Sequence, residues 1–126
     1  MQNSAPINVS VETFQLEVVD RSLSLLVGGW FWAEQVPTAV QVKNQLEAML
    51  GQYQGKFALA LSDVALDQNL AQRLQVPGLP SIRAVLKGQI VDQLDGPADE
   101  KQLRSMLDQH TQSLDDAIAG DIQPVS

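Results

Sequence analysis

From Leu23 to Trp32 apolar side chains fill both alternating sets of positions, Leu25, Val27 and Phe31 on one and Leu26, Trp30 and Trp32 on the other. Such a run predicts a strand covered on both faces of a sheet. Lys56 to Asp63 is a second buried strand, carrying Phe57, Ala58, Leu59, Ala60 and Leu61. Between them Val42, Leu46, Met49, Leu50 and Tyr53 fall at i, i+4, i+7, i+8 and i+11, with Gln41, Lys43, Asn44, Gln45 and Glu47 on the other side. That stripe is one buried face of a helix. Two starts are open: Pro37 at the first helical position, or Thr38 as a cap answered by Gln41. Gly55 closes the turn beyond. A helix joining two buried strands makes them parallel and calls for helices on both faces of the sheet.

Around this unit the pattern is shorter-ranged. Ile7 to Ser10 alternates like an edge strand, and Phe14, Leu16, Val18 and Val19 predict a short helix ending near Asp20 to Ser22. Asp67 can cap a short helix carrying Leu70, Ala71 and Leu74. Ile82 to Leu86 and Gln89 to Leu94 flank Lys87-Gly88, an antiparallel hairpin signal in which glycine supplies a positive φ. Asp95-Gly96-Pro97 breaks the chain, and Asp99 and Glu100 put acid at the start of a helix with an inward stripe of Leu103, Met106, Leu107 and His110. Leu114, Ala117 and Ile118 continue that stripe until Gly120 offers a cap, and residues 123–126 read as a frayed end. The predicted order is β-α-β-α-β-α-β-β-α: an α/β protein with a central mixed sheet of four to five strands and helices on both faces. Residues 1–112 form one compact domain and 113–126 a helical extension and tail, the start of a linker to a further domain.

Composition narrows the function. The 126 residues are 44% hydrophobic, enough for one core without disulfides or metals. Cysteine is absent, so no thiolate chemistry is open to the chain. A net charge of −7, with the basic residues scattered, argues against nucleic acid. The first residues carry neither a positive segment nor an apolar run, and Leu25 to Ala33, the longest apolar stretch, is too short to span a membrane. A cytoplasmic protein is the expectation. There is no phosphate loop, no metal-spaced cluster and no nucleophile elbow, so no cofactor or metal is expected. His110 is the single histidine, on an apolar helix face; Glu34 is a lone carboxylate; Asp108, Asp115 and Asp116 read as a solvated helix face.

Phe31-Trp32-Ala33-Glu34, Tyr53-Gln54-Gly55-Lys56, Val76-Pro77-Gly78-Leu79-Pro80-Ser81 and the Lys87-Gly88 hairpin, in this order, resemble the thioredoxin superfamily across roughly Ile7 to Gln112. Gly96-Pro97 followed by Glu100 and Leu103-Arg104 is similar to the thioredoxin-like N-terminal domain of the chaperedoxins, bacterial co-chaperones with tetratricopeptide repeats downstream. The resemblance puts Val36 and Ala39 at the two cysteine positions, with Pro37 and Thr38 between them. It puts Trp30 where redox-active members keep a buried acid, Gln35 at the preceding tryptophan and Asn44 at the helix-kinking proline. Gly28 and Gly29 are then expected to make room for the Trp30 ring. Pro80 matches the family's cis-proline, beside which an extended partner can add to the backbone.

What the resemblance implies is a redox-inactive protein-binding domain of a co-chaperone, contacting an unfolded client or a chaperone through Trp32, Gln35, Val36, Pro37, Thr38, Gly78, Leu79, Pro80 and Gly96. Trp32 also reads as a core residue at a strand end, and residues 36–39 as a relic that only caps a helix. Two other classes stand beside this one. Leu114, Ala117 and Ile118 give the terminal helix an apolar face suited to self-association in a structural module, and Thr38 offers a hydroxyl to a glutathione-binding enzyme.

Overall fold

The computed structural model describes residues 6–53, 55–96 and 98–122, with side chains through Gln112. Gln54, Pro97, the first five residues and 123–126 lie outside the described residues, as do the side chains of Leu114, Asp115, Asp116, Ala117 and Ile118. Five strands form one sheet: β1 (Ile7–Asn8), β2 (Leu26–Trp32), β3 (Phe57–Asp63), β4 (Ser81–Leu86) and β5 (Gln89–Asp95), in the spatial order β1-β3-β2-β4-β5. β1, β3 and β2 run parallel, and β4 and β5 are antiparallel to their neighbours. The predicted element order is the observed one.

The two-faced pattern of β2 becomes two cores. Leu26 and Trp30 point to the side covered by α2 (Pro37–Met49) and α4 (Glu100–Ile122), among Leu46, Leu59, Ile82, Leu103 and Leu107. Val27 and Phe31 point to the other side, under α1 (Val11–Phe14) and α3 (Asn69–Arg73), with Val18, Leu70 and Ala71. α1 runs on as a π-helical segment, Gln15–Asp20, and a 3-10 turn, Arg21–Leu23. β2 therefore starts at Leu26, later than the sequence pattern indicates, because Leu23 ends the helical turn with its side chain exposed.

Local chemistry decides the element ends. Val36 is the N-cap of α2 and Pro37 its first residue, with no side-chain cap, so the Thr38–Gln41 box does not form. Its stripe continues past Met49 through a 3-10 turn, Leu50–Tyr53. Asp67 Oδ1 accepts from the Asn69 N–H at 2.9 Å at the entry to α3. Asp99 and Gln102 form a reciprocal box: Asp99 Oδ1 accepts from the Gln102 N–H at 2.8 Å, and Gln102 Oε1 from the Asp99 N–H at 3.1 Å. At the hairpin both Lys87 (φ 58) and Gly88 (φ 77) are left-handed, the geometry that matches strand twist. Ser22 anchors that tip, accepting from the Lys87 N–H through its carbonyl and from the Gly88 N–H through its hydroxyl.

Two expectations, for Gly120 and Gly28, are corrected, and the solvated face at Asp108 is found with one bond added. α4 passes through Gly120 to Ile122, since a glycine inside a helix weakens it without ending it. Asp108 is exposed yet engaged, accepting from the Tyr53 hydroxyl at 2.8 Å. Burial first, and then that hydrogen bond, push the Tyr53 phenol up to about 12, so it stays a donor. Gly28 makes room for Phe57, not for Trp30: a Cβ there would meet the Phe57 ring at 2.9 Å. That ring is buried and packs edge-to-face on Tyr53, centroids 5.8 Å apart, so it cannot swing aside.

Gly28→Ala is expected to destabilise by about 1–3 kcal/mol through overpacking. At Gly29 the nearest atoms to an added Cβ lie at 3.6 and 3.8 Å, so Gly29→Ala should change little. Equal denaturation midpoints for the two variants would contradict this account.

Candidate functional site

The predicted residues converge at the C-terminal end of β2. Phe31 pairs with Ser81 and Ser81 with Asp95, so the end of β2, the 78–80 loop and the Gly96 turn lie side by side. The loop into α2 leaves from the same end of β2. The Leu79–Pro80 peptide bond is cis. Pro80 is fully buried, whereas Gly78, Gln35, Pro37 and Thr38 are exposed. Val36 and Leu79 are half-buried, Val36 against the α2 and α4 core and Leu79 against the cluster of Phe31, Leu70 and Ala71.

A polar clamp fixes this loop. The Gly96 N–H donates to the Pro80 carbonyl at 2.7 Å. Ser81 Oγ lies 2.8 Å from the Gly78 carbonyl and 3.0 Å from Asp95 Oδ1, sharing its one proton between them. Arg83 Nη1 donates to Asp95 Oδ1 at 2.7 Å and to the Ile82 carbonyl at 3.2 Å. The Arg83 side chain is 3% exposed and that of Asp95 33%. Hydrogen bonding from Arg83, and next from Ser81, holds the Asp95 carboxyl below its ordinary range against the opposing effect of burial. Between these ties, the Leu79 N–H and C=O make no hydrogen bond among the described residues.

The sequence reading missed this clamp. Its signal was legible: Arg83 interrupts the otherwise apolar run Ile82 to Leu86, and a buried guanidinium needs an acid within reach. Across the hairpin Arg83 pairs with Gln93, which leaves Asp95 diagonal to it.

The two tryptophans diverge. Trp30 is fully buried and its N–H donates to the Ala39 carbonyl at 3.2 Å, so an indole, not an acid, lies under the loop. Ala39 is itself completely buried. Trp32 is half-buried, with the Lys43 ammonium 5.0 Å above its ring centroid and its N–H sealed from solvent without a partner among the described residues. Lys43 is also tied to Glu47 at 2.8 Å. Thr38 lines a shallow cavity of about 420 Å³ with Gln41, Gln45, Asp99 and Glu100. Its acids oppose a ligand bearing carboxylates. Elsewhere, half-buried His110 lies 3.0 Å from Asp92, joining α4 to β5. Among the described residues, no group of three or more His, Asp or Glu is placed to hold a metal, and no helix is long and apolar enough to cross a membrane.

Residues 5–109 match the family model described as Thioredoxin. The chain belongs to the thioredoxin family. It is 25% identical over 99 residues to a thioredoxin of Chlorobaculum thiosulfatiphilum, covering 79% of this chain and 90% of that protein. It is 27% identical over 104 residues to thioredoxin C-2 of Corynebacterium nephridii, covering 82% and 94%. A mutant thioredoxin structure from Halobacterium salinarum shares the fold at a TM-score of 0.75 and 24% identity, covering 88% of this chain and 95% of that one. This thioredoxin-family chain has no cysteine, so dithiol–disulfide exchange is closed to it.

Asp95→Asn leaves Arg83 buried without its countercharge and is expected to cost about 3 kcal/mol. Arg83→Met, of similar length, should cost clearly less, because Asp95 is partly hydrated. The depressed Asp95 pKa also sets a sign: its stabilisation is complete above the unfolded carboxylate value near ~3.9 and is lost as pH falls through the lower folded value. Acid unfolding curves of Asp95→Asn should lack that component; a curve with the parent's slope would refute the assignment. Trp30→Phe should cost about 2 kcal/mol and Trp32→Phe under about 1, since only the first removes a satisfied N–H. Chemical denaturation reads both.

Proposed function

We propose that this chain is a redox-inactive, protein-binding member of the thioredoxin family that holds extended segments of other proteins against the Leu79 edge. It acts in the cytoplasm as the thioredoxin-like part of a co-chaperone, on unfolded clients or a partner chaperone, and not as an enzyme. The carrying observation is that the N–H and C=O of Leu79 are unengaged among the described residues, within a loop whose flanking carbonyls, Gly78 and Pro80, are tied. An extended chain pairs with such a backbone unit through main-chain hydrogen bonds, which need no thiol. Trp32, Gln35, Val36, Pro37, Thr38 and Gly96 supply the surrounding contacts, and buried Pro80 sets the bend. The co-chaperone assignment is supported by the Gly96 to Arg104 resemblance.

One observation favours a second reading, a structural or oligomerisation module. α4 runs on to Ile122, past the family match ending at 109. Residues 113–126, as helical extension and tail, then join a further domain or a second copy through Leu114, Ala117 and Ile118. Truncation after Gln112 that leaves the solution mass unchanged would exclude self-association there.

For the primary reading, labelled extended peptides are titrated while anisotropy is followed, with thermal unfolding run in parallel to establish folding. Val36→Asp and Leu79→Asp are each expected to weaken binding about tenfold or more, about 1.4 kcal/mol. Undiminished affinity in both folded variants would remove this surface from the function.

A further inference from the structure

Beyond the Leu79 edge, on the far side of β2, lies a groove of about 430 Å³ that shares only Trp32 with the proposed contacts. Val9, Trp32 and Leu61 form its walls, and Leu66 stands at its rim with 85% of its surface exposed. Asp63 and Asp67 line it as well. Each spends one oxygen locally: Asp63 Oδ1 accepts from the Ala65 N–H at 3.1 Å, and Asp67 Oδ1 from the Asn69 N–H at 2.9 Å. The remaining Oδ2 atoms have no hydrogen bond, and neither carboxylate has a cationic partner, among the described residues. An exposed leucine, an indole face and two unpaired carboxylates match one kind of occupant, a side chain with an aliphatic stem and a cationic head. A second copy of this chain is disfavoured, since each carries the same net charge of −7.

We propose that this groove is a specificity subsite for a lysine or arginine of the bound segment. The stem lies on Leu66 and Trp32, and the ammonium or guanidinium reaches Asp63 and Asp67. This rests on the Leu79 reading and adds the chemical class of the partner: extended segments with a basic residue at a fixed offset. Trp32 pairs with Asp63 on one side of β2, and Phe31 with Ser81 on the other. Crossing from the β4 side to β3 spans two inter-strand spacings, about 10 Å, or roughly three residues of extended chain.

The test uses labelled peptides identical except for lysine, norleucine or glutamate at one position, moved stepwise from the segment that pairs with Leu79. Norleucine peptides report the edge and the apolar stem contact without the charge. At the best offset, lysine is expected to bind roughly tenfold more tightly than norleucine, and glutamate more weakly than either. The Asp63→Asn, Asp67→Asn double variant keeps both turn acceptors and should erase the lysine preference while norleucine affinity stays. Glu17→Gln with Asp20→Asn, at the opposite end of the sheet, removes the same charge and should leave the preference intact. Leu66→Ser, at an exposed position, should weaken lysine and norleucine peptides alike at that offset. A preference that survives the groove variant, or falls equally in the distal one, overturns the subsite and leaves the edge standing. If no peptide binds the unmodified protein, the edge reading fails and the subsite with it.

Discussion

The Asp95 carboxylate is where the functional end of this molecule is tied together. It receives Arg83 from β4 and shares the Ser81 hydroxyl with the Gly78 carbonyl, while the next residue, Gly96, reaches the Pro80 carbonyl. One acidic residue at the end of an edge strand thus fixes both flanks of the loop that precedes β4. A buried guanidinium has few arrangements open to it, because leaving its charge unpaired costs several kcal/mol. That restriction passes to the loop: Gly78, Pro80 and Ser81 are bound, and Leu79 is presented between them.

Beneath that loop the site is apolar. Trp30 fills the interior and satisfies its N–H on the Ala39 carbonyl. Val36 packs on the same core. The family fold is present here in a chain without a thiol. The surface is asymmetric. On the β4 side the backbone at Leu79 is open; on the β3 side Trp32, Leu66, Asp63 and Asp67 form a cleft that is both apolar and acidic.

Much of this was legible along the chain. The two-faced run from Leu23 to Trp32, the stripe from Val42 to Tyr53 and the Lys87-Gly88 turn each carry a local signal, and they yielded the order, the hairpin and a central strand covered on both faces. The errors arose where local signals competed. Thr38–Gln41 and Pro37 both offered a helix start, and the proline prevailed because its fixed φ suits the first helical position. Leu23 looked like strand because it is apolar, yet the preceding helix extends through it.

By itself, then, the sequence determined the α/β class, the order of elements and the absence of thiol chemistry, since these follow from periodicity and from which atoms are present. It took the packed fold to show that Gly28 yields to Phe57, that Arg83 meets Asp95, that Asp108 serves Tyr53 and that Asp63 and Asp67 open into one groove with Trp32. Each of those joins residues from different elements. Such pairings depend on strand register and on the direction of each side chain, which no local pattern encodes.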